Sequence, residues 1–177
     1  MDDDSDFVWK LLAAGNGGVG KTCLLHQFIH HEFLKDTKLT IGVDFHKQIL
    51  ERKGYKISLV LWDLGGQERF RFMQPEYISG SDGVLLCFDL SRSNTLAMTG
   101  DWLKIIKKQA PKAPIILVGM KQDLVDDEDL MEIIFDANEV VSINDLVTFI
   151  PTSSKNNFNV DETIYCIVDE LLKMKDV

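Results

Sequence analysis

Apolar positions fall in short blocks separated by polar, glycine-bearing stretches, and the spacing inside the blocks switches between continuous and helical. Phe7 to Ala14 is apolar except for Lys10, the length and character of a strand buried on both faces. The stretch Gly15 to Gly20 ends it, and Leu24, Leu25, Phe28 and Ile29 then recur at helical spacing in a helix that starts near Lys21. A polar loop follows from about His31 to Leu39. Asp44 to Arg52 and Tyr55 to Asp63 alternate in part on either side of Lys53 and Gly54, which predicts two antiparallel strands joined by a tight turn. Apolar runs at Gly83 to Phe88, Ile115 to Val118 and Val147 to Ile150 predict further strands. Helices are expected at about 68–79, 94–109, 126–137 and 160–174, the last with a stripe of Val160, Ile164, Val168 and Leu171. Residues 139–144 match neither pattern. Strands alternating with helices imply an α/β fold, a mostly parallel sheet covered on both faces.

Length adds one domain to this picture. The 177 residues suit a single core, placed at 7–177 behind an acidic extension at 1–6. A hydrophobic share of 45% and a charged share of 27% are ordinary, and no run approaches the ~18 apolar residues of a membrane span. The acidic start, Met1 to Asp6, is unlike a secretory signal. Lys and Arg number 19 against 28 Asp and Glu, for a net charge of −9, which disfavours nucleic acid and anionic lipid as partners. Cys23, Cys87 and Cys166 are odd in number and widely spaced, and are expected to be reduced core thiols in a cytoplasmic protein.

Candidate chemistry begins in the first loop. "GNGGVGKT" at 15–22 matches G-x-x-x-x-G-K-[ST] between a predicted strand and a predicted helix, the context in which that motif holds phosphate. Backbone amides over Gly15, Asn16, Gly17, Gly18, Val19 and Gly20 would face phosphate oxygens, with Cys23 following at the helix start. Lys21 would reach the β and γ phosphates and Thr22 would offer its hydroxyl to magnesium. In "LWDLGGQERF" at 61–70, Asp63 ends a strand where a carboxylate reaches magnesium, the Gly66 amide can meet a γ-phosphate, and Gln67 follows. Thr40, in "KLTIGVDF" at 38–45, lies where its hydroxyl can complete the metal shell.

Together these segments resemble a Ras-superfamily small GTPase, most closely the Rab branch. "TIGVDF" (40–45) and "WDLGGQERF" (62–70) resemble its two switch motifs, and "GVLLCFDLS" (83–91) and "TSSK" (152–155) fall in the expected order. The resemblance covers about residues 7 to 174. It implies a P-loop NTPase fold: a six-stranded, mostly parallel sheet with one antiparallel edge strand and helices on both faces. It also implies GTP or GDP as ligand, Mg2+ as cofactor and slow hydrolysis of GTP. Thr22, Thr40 and Asp63 would ligate the metal. Lys21, Thr40 and Gln67 would serve hydrolysis, with Gln67 orienting the attacking water, and Phe33 would pack edge-on against the base. Effectors, exchange factors and GTPase-activating proteins would bind through 36–46 and 64–80.

In the family's guanine loop, N-K-x-D, Asp123 would accept from N1–H and the exocyclic amine of guanine, and Lys121 would lie on the base plane. Ser154 would offer a backbone amide to O6, Ser153 would brace Asp123, and Lys155 would cover the other face. Met120 stands in place of the asparagine that ties this loop to the phosphate loop, so weaker guanine binding and faster release are expected. Leu64 and Gly65 stand where the Rab pattern has Thr-Ala, and the resulting glycine pair resembles the Gly-Gly of Arf-like proteins, which predicts a freer backbone. No arginine lies between Glu32 and Leu39 to act on the transferring phosphate. The sequence ends "LLKMKDV", without a cysteine of the kind Rab proteins prenylate, so no direct membrane anchor is visible. The alternative function is a pseudo-GTPase, an interaction module with weak or no turnover. His26 and His30 stand at i, i+4 without a third ligand, and Asp126 to Asp129 suits a first helical turn. Trp62 and Trp102 fall on apolar patterns and are expected in the core.

Overall fold

The computed structural model describes residues 4–67 and 72–177. Its elements are β1 (Phe7–Ala14), α1 (Lys21–His30), β2 (Val43–Arg52), β3 (Tyr55–Leu64), α2 (Gln74–Ile78), β4 (Gly83–Asp89), α3 (Asn94–Ala97), α4 (Thr99–Gln109), β5 (Ile115–Met120), α5 (Asp127–Asn144), β6 (Thr148–Pro151) and α6 (Val160–Lys173). The strands form one six-stranded sheet in the order β2-β3-β1-β4-β5-β6. All neighbours are parallel except β2 with β3. That hairpin turns at Lys53 (φ 51°) and Gly54 (φ 85°), the paired left-handed residues that match strand twist in a two-residue turn.

Side-chain alternation sorts each strand between two layers. In β1, Trp9, Leu11 and Ala13 face a cluster with Leu24, Leu25 and Phe28 of α1 and Ile164, Ile167 and Val168 of α6. Leu12 and Ala14 face the other, with Trp102, Leu103 and Ile106 of α4 and Ala137 of α5. Each of the larger of these side chains stabilises the fold by roughly 1.5–3 kcal/mol. Strand order reverses at β1, so the loops after β1, β3, β4, β5 and β6 gather at one edge, the position where open α/β sheets bind ligands.

Several expectations change. The helix expected at 94–109 is two, α3 and α4, separated at Met98. Thr95 Oγ1 donates to the Arg92 carbonyl and Thr99 Oγ1 to the Leu96 carbonyl, both at 2.6 Å, local bonds that compete with the helical ladder. Residues 139–144 are helical: α5 continues to Asn144 because Val140 and Val141 carry on the apolar face of Ile133, Ile134 and Ala137. Of the helix expected at 68–79, residues 68–71 lie outside the described residues, and α2 begins at Gln74 with Pro75 in its first turn. Only Cys87 is a core thiol; Cys23 and Cys166 are half-buried, and all three are free. Trp102 is buried. Trp62 is half-buried, its ring between those of Phe45 and Tyr77 at 5.8 and 6.3 Å, with the Lys10 ammonium 4.0 Å from its centroid. Among the described residues no helix is long and apolar enough to cross a membrane.

Candidate functional site

The loop from Gly15 to Gly20 leaves β1 by folding back on β4. Gly15 has φ +138°, and a Cβ there would stand 2.2 Å from the Cys87 carbonyl oxygen, so only glycine allows the approach. Val19 is fully buried in the core beneath the loop. Lys21, at the start of α1, is also buried, and its ammonium donates to the carbonyls of Gly15 (2.8 Å) and Asn16 (2.9 Å). Burial lowers its pKa, opposed by nearby Asp63. An ammonium so desolvated at a helix N-terminus favours an anion beside it. Asn16 is fixed in turn, its Oδ1 accepting from Trp102 Nε1 at 2.8 Å and its Nδ2 lying 2.7 Å from Met98 Sδ.

Three oxygen donors meet at the mouth of this loop. Thr22 Oγ1 donates to Asp63 Oδ2 at 2.5 Å, Thr40 Oγ1 to the same oxygen at 3.1 Å, and the two hydroxyls are 3.0 Å apart. Asp63 is buried and its Oδ1 has no hydrogen-bond partner among the described residues. A buried carboxylate with a spare oxygen beside two hydroxyls is a hard-oxygen donor set suited to Mg2+, which keeps several of its own waters. The adjoining cavity of ≈ 140 Å³ is lined by Gly18, Lys21, Thr22, Thr40, Gly66 and Gln67 among others. Gly66 O accepts from Gly17 N at 3.1 Å, which brings the loop after β3 onto the phosphate loop.

A second cavity, ≈ 330 Å³, shares Gly20, Cys23, Thr37 and Lys121 with the first and extends to Phe33, Met120, Asp123, Ser154 and Lys155. The chain enters it from β5 through Lys121 in a left-handed conformation (φ 63°) and a short 3-10 turn, Gln122–Leu124. Ser153 Oγ donates to Asp123 Oδ1 at 2.5 Å, and Ser153 is held in place by two backbone bonds with Phe158, of 2.9 and 3.0 Å. The candidate residues therefore gather at one sheet edge: most line two adjoining cavities, and Gly15, Asn16, Val19, Asp63 and Ser153 stand beside them.

Met120 is enclosed beneath the phosphate loop. Its side chain is 1% exposed, and its Cε lies 3.3 Å from where a Cβ on Gly20 would be. The thioether packs under the phosphate loop rather than leaving a gap. The two loops are also bridged by Asp89, at the end of β4, and by Arg92, neither of which has a role assigned from the sequence, together with Lys121. The available signal is an aspartate closing an otherwise apolar strand, paired in register with Met120. Gly65 is likewise not free: its N–H donates to Gly42 O at 2.8 Å, and a Cβ there would stand 2.6 Å from Thr40 O.

Comparison with known proteins agrees with this geometry. A family-level profile described as the Ras family matches residues 10–173. Ras-related protein Rab-4A of Homo sapiens is 39% identical over 163 residues, 92% of this chain and 73% of that protein. Rab-4B of Mus musculus is 36% identical over 163 residues, 92% and 75% of the two chains. Rab-12 of the same organism is 35% identical over 172 residues, 96% and 69%.

Proposed function

Since this chain belongs to the Ras family of small GTPases and is similar to its Rab members, we propose that it is a magnesium-dependent GTP/GDP switch that hydrolyses GTP slowly and acts in trafficking through effectors. Residues 7–177 form its nucleotide-binding domain behind the extension at 1–6. The observation that carries this reading is the meeting of Thr22, Thr40 and Asp63 beside buried Lys21, one cavity away from Asp123 braced by Ser153. Amides of Gly15 to Thr22, with Cys23 alongside, cradle the phosphates, and Lys21 neutralises the β and γ oxygens. Mg2+, when bound, neutralises phosphate charge and orients the β and γ groups; Thr22, Thr40 and Asp63 hold it. Asp123 accepts from guanine N1–H and the exocyclic amine, a pair of donors that adenine lacks at those positions. Ser154 offers its amide to O6, while Phe33, Lys121 and Lys155 enclose the ring.

Gln67 orients the water that attacks the γ-phosphorus, the Gly66 amide meets a γ oxygen, and the products are GDP and phosphate. Thr40 helps only while a γ-phosphate is present, which makes residues 36–46 and 64–80 the surfaces that effectors, exchange factors and activating proteins read. An arginine supplied by a partner typically raises such rates ~10³ to 10⁵-fold, and 32–39 supply none, so unassisted turnover falls far below ~1 per second. Chromatography of nucleotide released from denatured protein should yield GDP or GTP. Single-turnover kinetics should show slow phosphate release that Gln67→Leu slows further. Copurifying adenine nucleotide, or no release over hours with activating protein present, overturns the assignment.

A further inference from the structure

The phosphate loop and the base loop meet at one carbonyl. Gly18 O accepts from Lys121 Nζ at 2.9 Å and from Arg92 Nη2 at 3.1 Å. The same two cations hold one oxygen of Asp89: Lys121 Nζ at 2.7 Å and Arg92 Nε at 2.9 Å from Oδ2. The other oxygen accepts from the Ser91 amide and hydroxyl at 3.0 and 2.6 Å. The Asp89 carboxylate is 1% exposed. Burial pushes its pKa up, but hydrogen bonds from Lys121, Ser91 and Arg92 outweigh that and hold it below the usual range. A buried carboxylate paired on every side is a fixed anchor, and removing one cation leaves part of its charge uncompensated.

Arg92 is itself fixed from behind. Its N–H donates to Asp89 O at 3.0 Å, and its carbonyl accepts from the Thr95 amide and hydroxyl at 2.9 and 2.6 Å. From there the guanidinium spans two acceptors at once, Nε on Asp89 and Nη2 on Gly18. Its planar fork does so with two separate N–H groups, whereas the Lys121 ammonium meets the same two acceptors from one nitrogen. Meanwhile the Met120 side chain has no N–H to donate and packs against Gly20.

We propose that Arg92 is a positioning residue for nucleotide retention: with Lys121 it latches the phosphate loop to the base loop through Asp89 and Gly18, taking over the tie that Met120 cannot make. This rests on the guanine-nucleotide reading of the site. It explains how a chain without the asparagine keeps its two loops in register. When the Lys121 stem lies along a base, Arg92 is the cation left to hold Gly18 without also serving the ligand. Its side chain is 47% exposed, so solvent screening limits the effect to several-fold.

The test is a double-mutant cycle read as dissociation of fluorescent GDP at fixed Mg2+. Arg92→Ala should release GDP ~3 to 10-fold faster, from one partly screened charged bond. Arg92→Lys should fall between the two. In a Met120→Asn background, where an amide restores the tie, Arg92→Ala should change the rate less than ~2-fold, the non-additivity expected of shared contacts. Equal factors in both backgrounds, or an unchanged rate in Arg92→Ala, overturn the latch. A second readout needs no nucleotide: amide hydrogen exchange over 17–21 in nucleotide-free protein should quicken in Arg92→Ala while exchange in α6 stays constant. Unchanged exchange over 17–21 overturns the latch as well. Failure of the wild type to bind GDP would instead sink the functional reading, with the exchange result still deciding on Arg92.

Discussion

Two cysteines show how far a single residue's chemistry depends on where its sulfur lies. Cys87 is wholly enclosed between β4 and its neighbours, and burial pushes its thiol up to about 12. The fold therefore favours the neutral thiol; the unfolded chain ionises near the ordinary value of 9.0. Above that value the unfolded state binds fewer protons, so this contribution is fully present below pH ~9 and is lost as pH rises toward 12, at up to ~1.4 kcal/mol per pH unit. Denaturant titrations should show stability falling less steeply between pH 9 and 11 in Cys87→Ala than in the wild type, whatever its absolute cost. Cys23 is different: it is half-exposed and lines both cavities. Alkylation of Cys23 followed by mass spectrometry should slow at least ~5-fold with GDP and Mg2+ bound, since opening must precede reaction. Cys166, on α6 and remote from the cavities, should react at the same rate with or without nucleotide. Equal slowing of both would mean global stabilisation rather than occupancy.

At the scale of elements, the segment after β3 packs directly on the segment before β2. Gly65 N donates to Gly42 O, and an added Cβ would meet Thr40 O at 2.6 Å and Gly42 O at 2.9 Å, both of them backbone. The expected looseness of Leu64-Gly65-Gly66 is thus replaced by close packing, with glycine needed for approach rather than flexibility. Gly65→Ala must push residues 40–42 away and pull Thr40 from Asp63 and Thr22. Such overpacking costs about 1–3 kcal/mol, and Thr40 is proposed to act only with a γ-phosphate. The ratio of affinities for a slowly hydrolysed GTP analogue and for GDP should therefore move toward GDP by ~5-fold or more. Equal loss for both nucleotides would mean that Gly65 serves the fold and not the switch.

For the whole molecule, the ligand edge is built from five loops, some anchored in the core by residues such as Val19 and Leu90, and a ligand that binds only the folded chain adds to global stability. Binding at 100 times the dissociation constant adds ~2.7 kcal/mol. For a chain of this size that corresponds to a rise of roughly 5–10 °C in Tm. GDP with Mg2+ should produce it, GDP with chelator should produce less, and ATP with Mg2+ should produce none. A comparable shift with ATP would contradict the role given to Asp123.

Much of this edge is legible in local sequence, because phosphate loops, hairpin turns and strand periods depend on residues a few positions apart. Gly15 to Thr22, Asp63, Asp123 and Ser153 can be named from motif and order alone. The β2-β3 turn follows from Lys53-Gly54, and α6 from its stripe. Sequence also sets the acidic charge and the absence of a long apolar run. Tertiary structure decided the rest. The bond from Lys121 to Gly18 joins residues 103 apart and that from Arg92 to Gly18 joins residues 74 apart, distances over which no period carries information. Whether Met120 leaves a gap depends on Gly20 lying against it, and whether Gly65 loosens its segment depends on residues 40–42 doing the same. The reach of α5 past residue 137 and the half-exposure of Trp62 were set by what packs beside them. Side-chain type determines which contacts are available; the fold determines which neighbour arrives to make them.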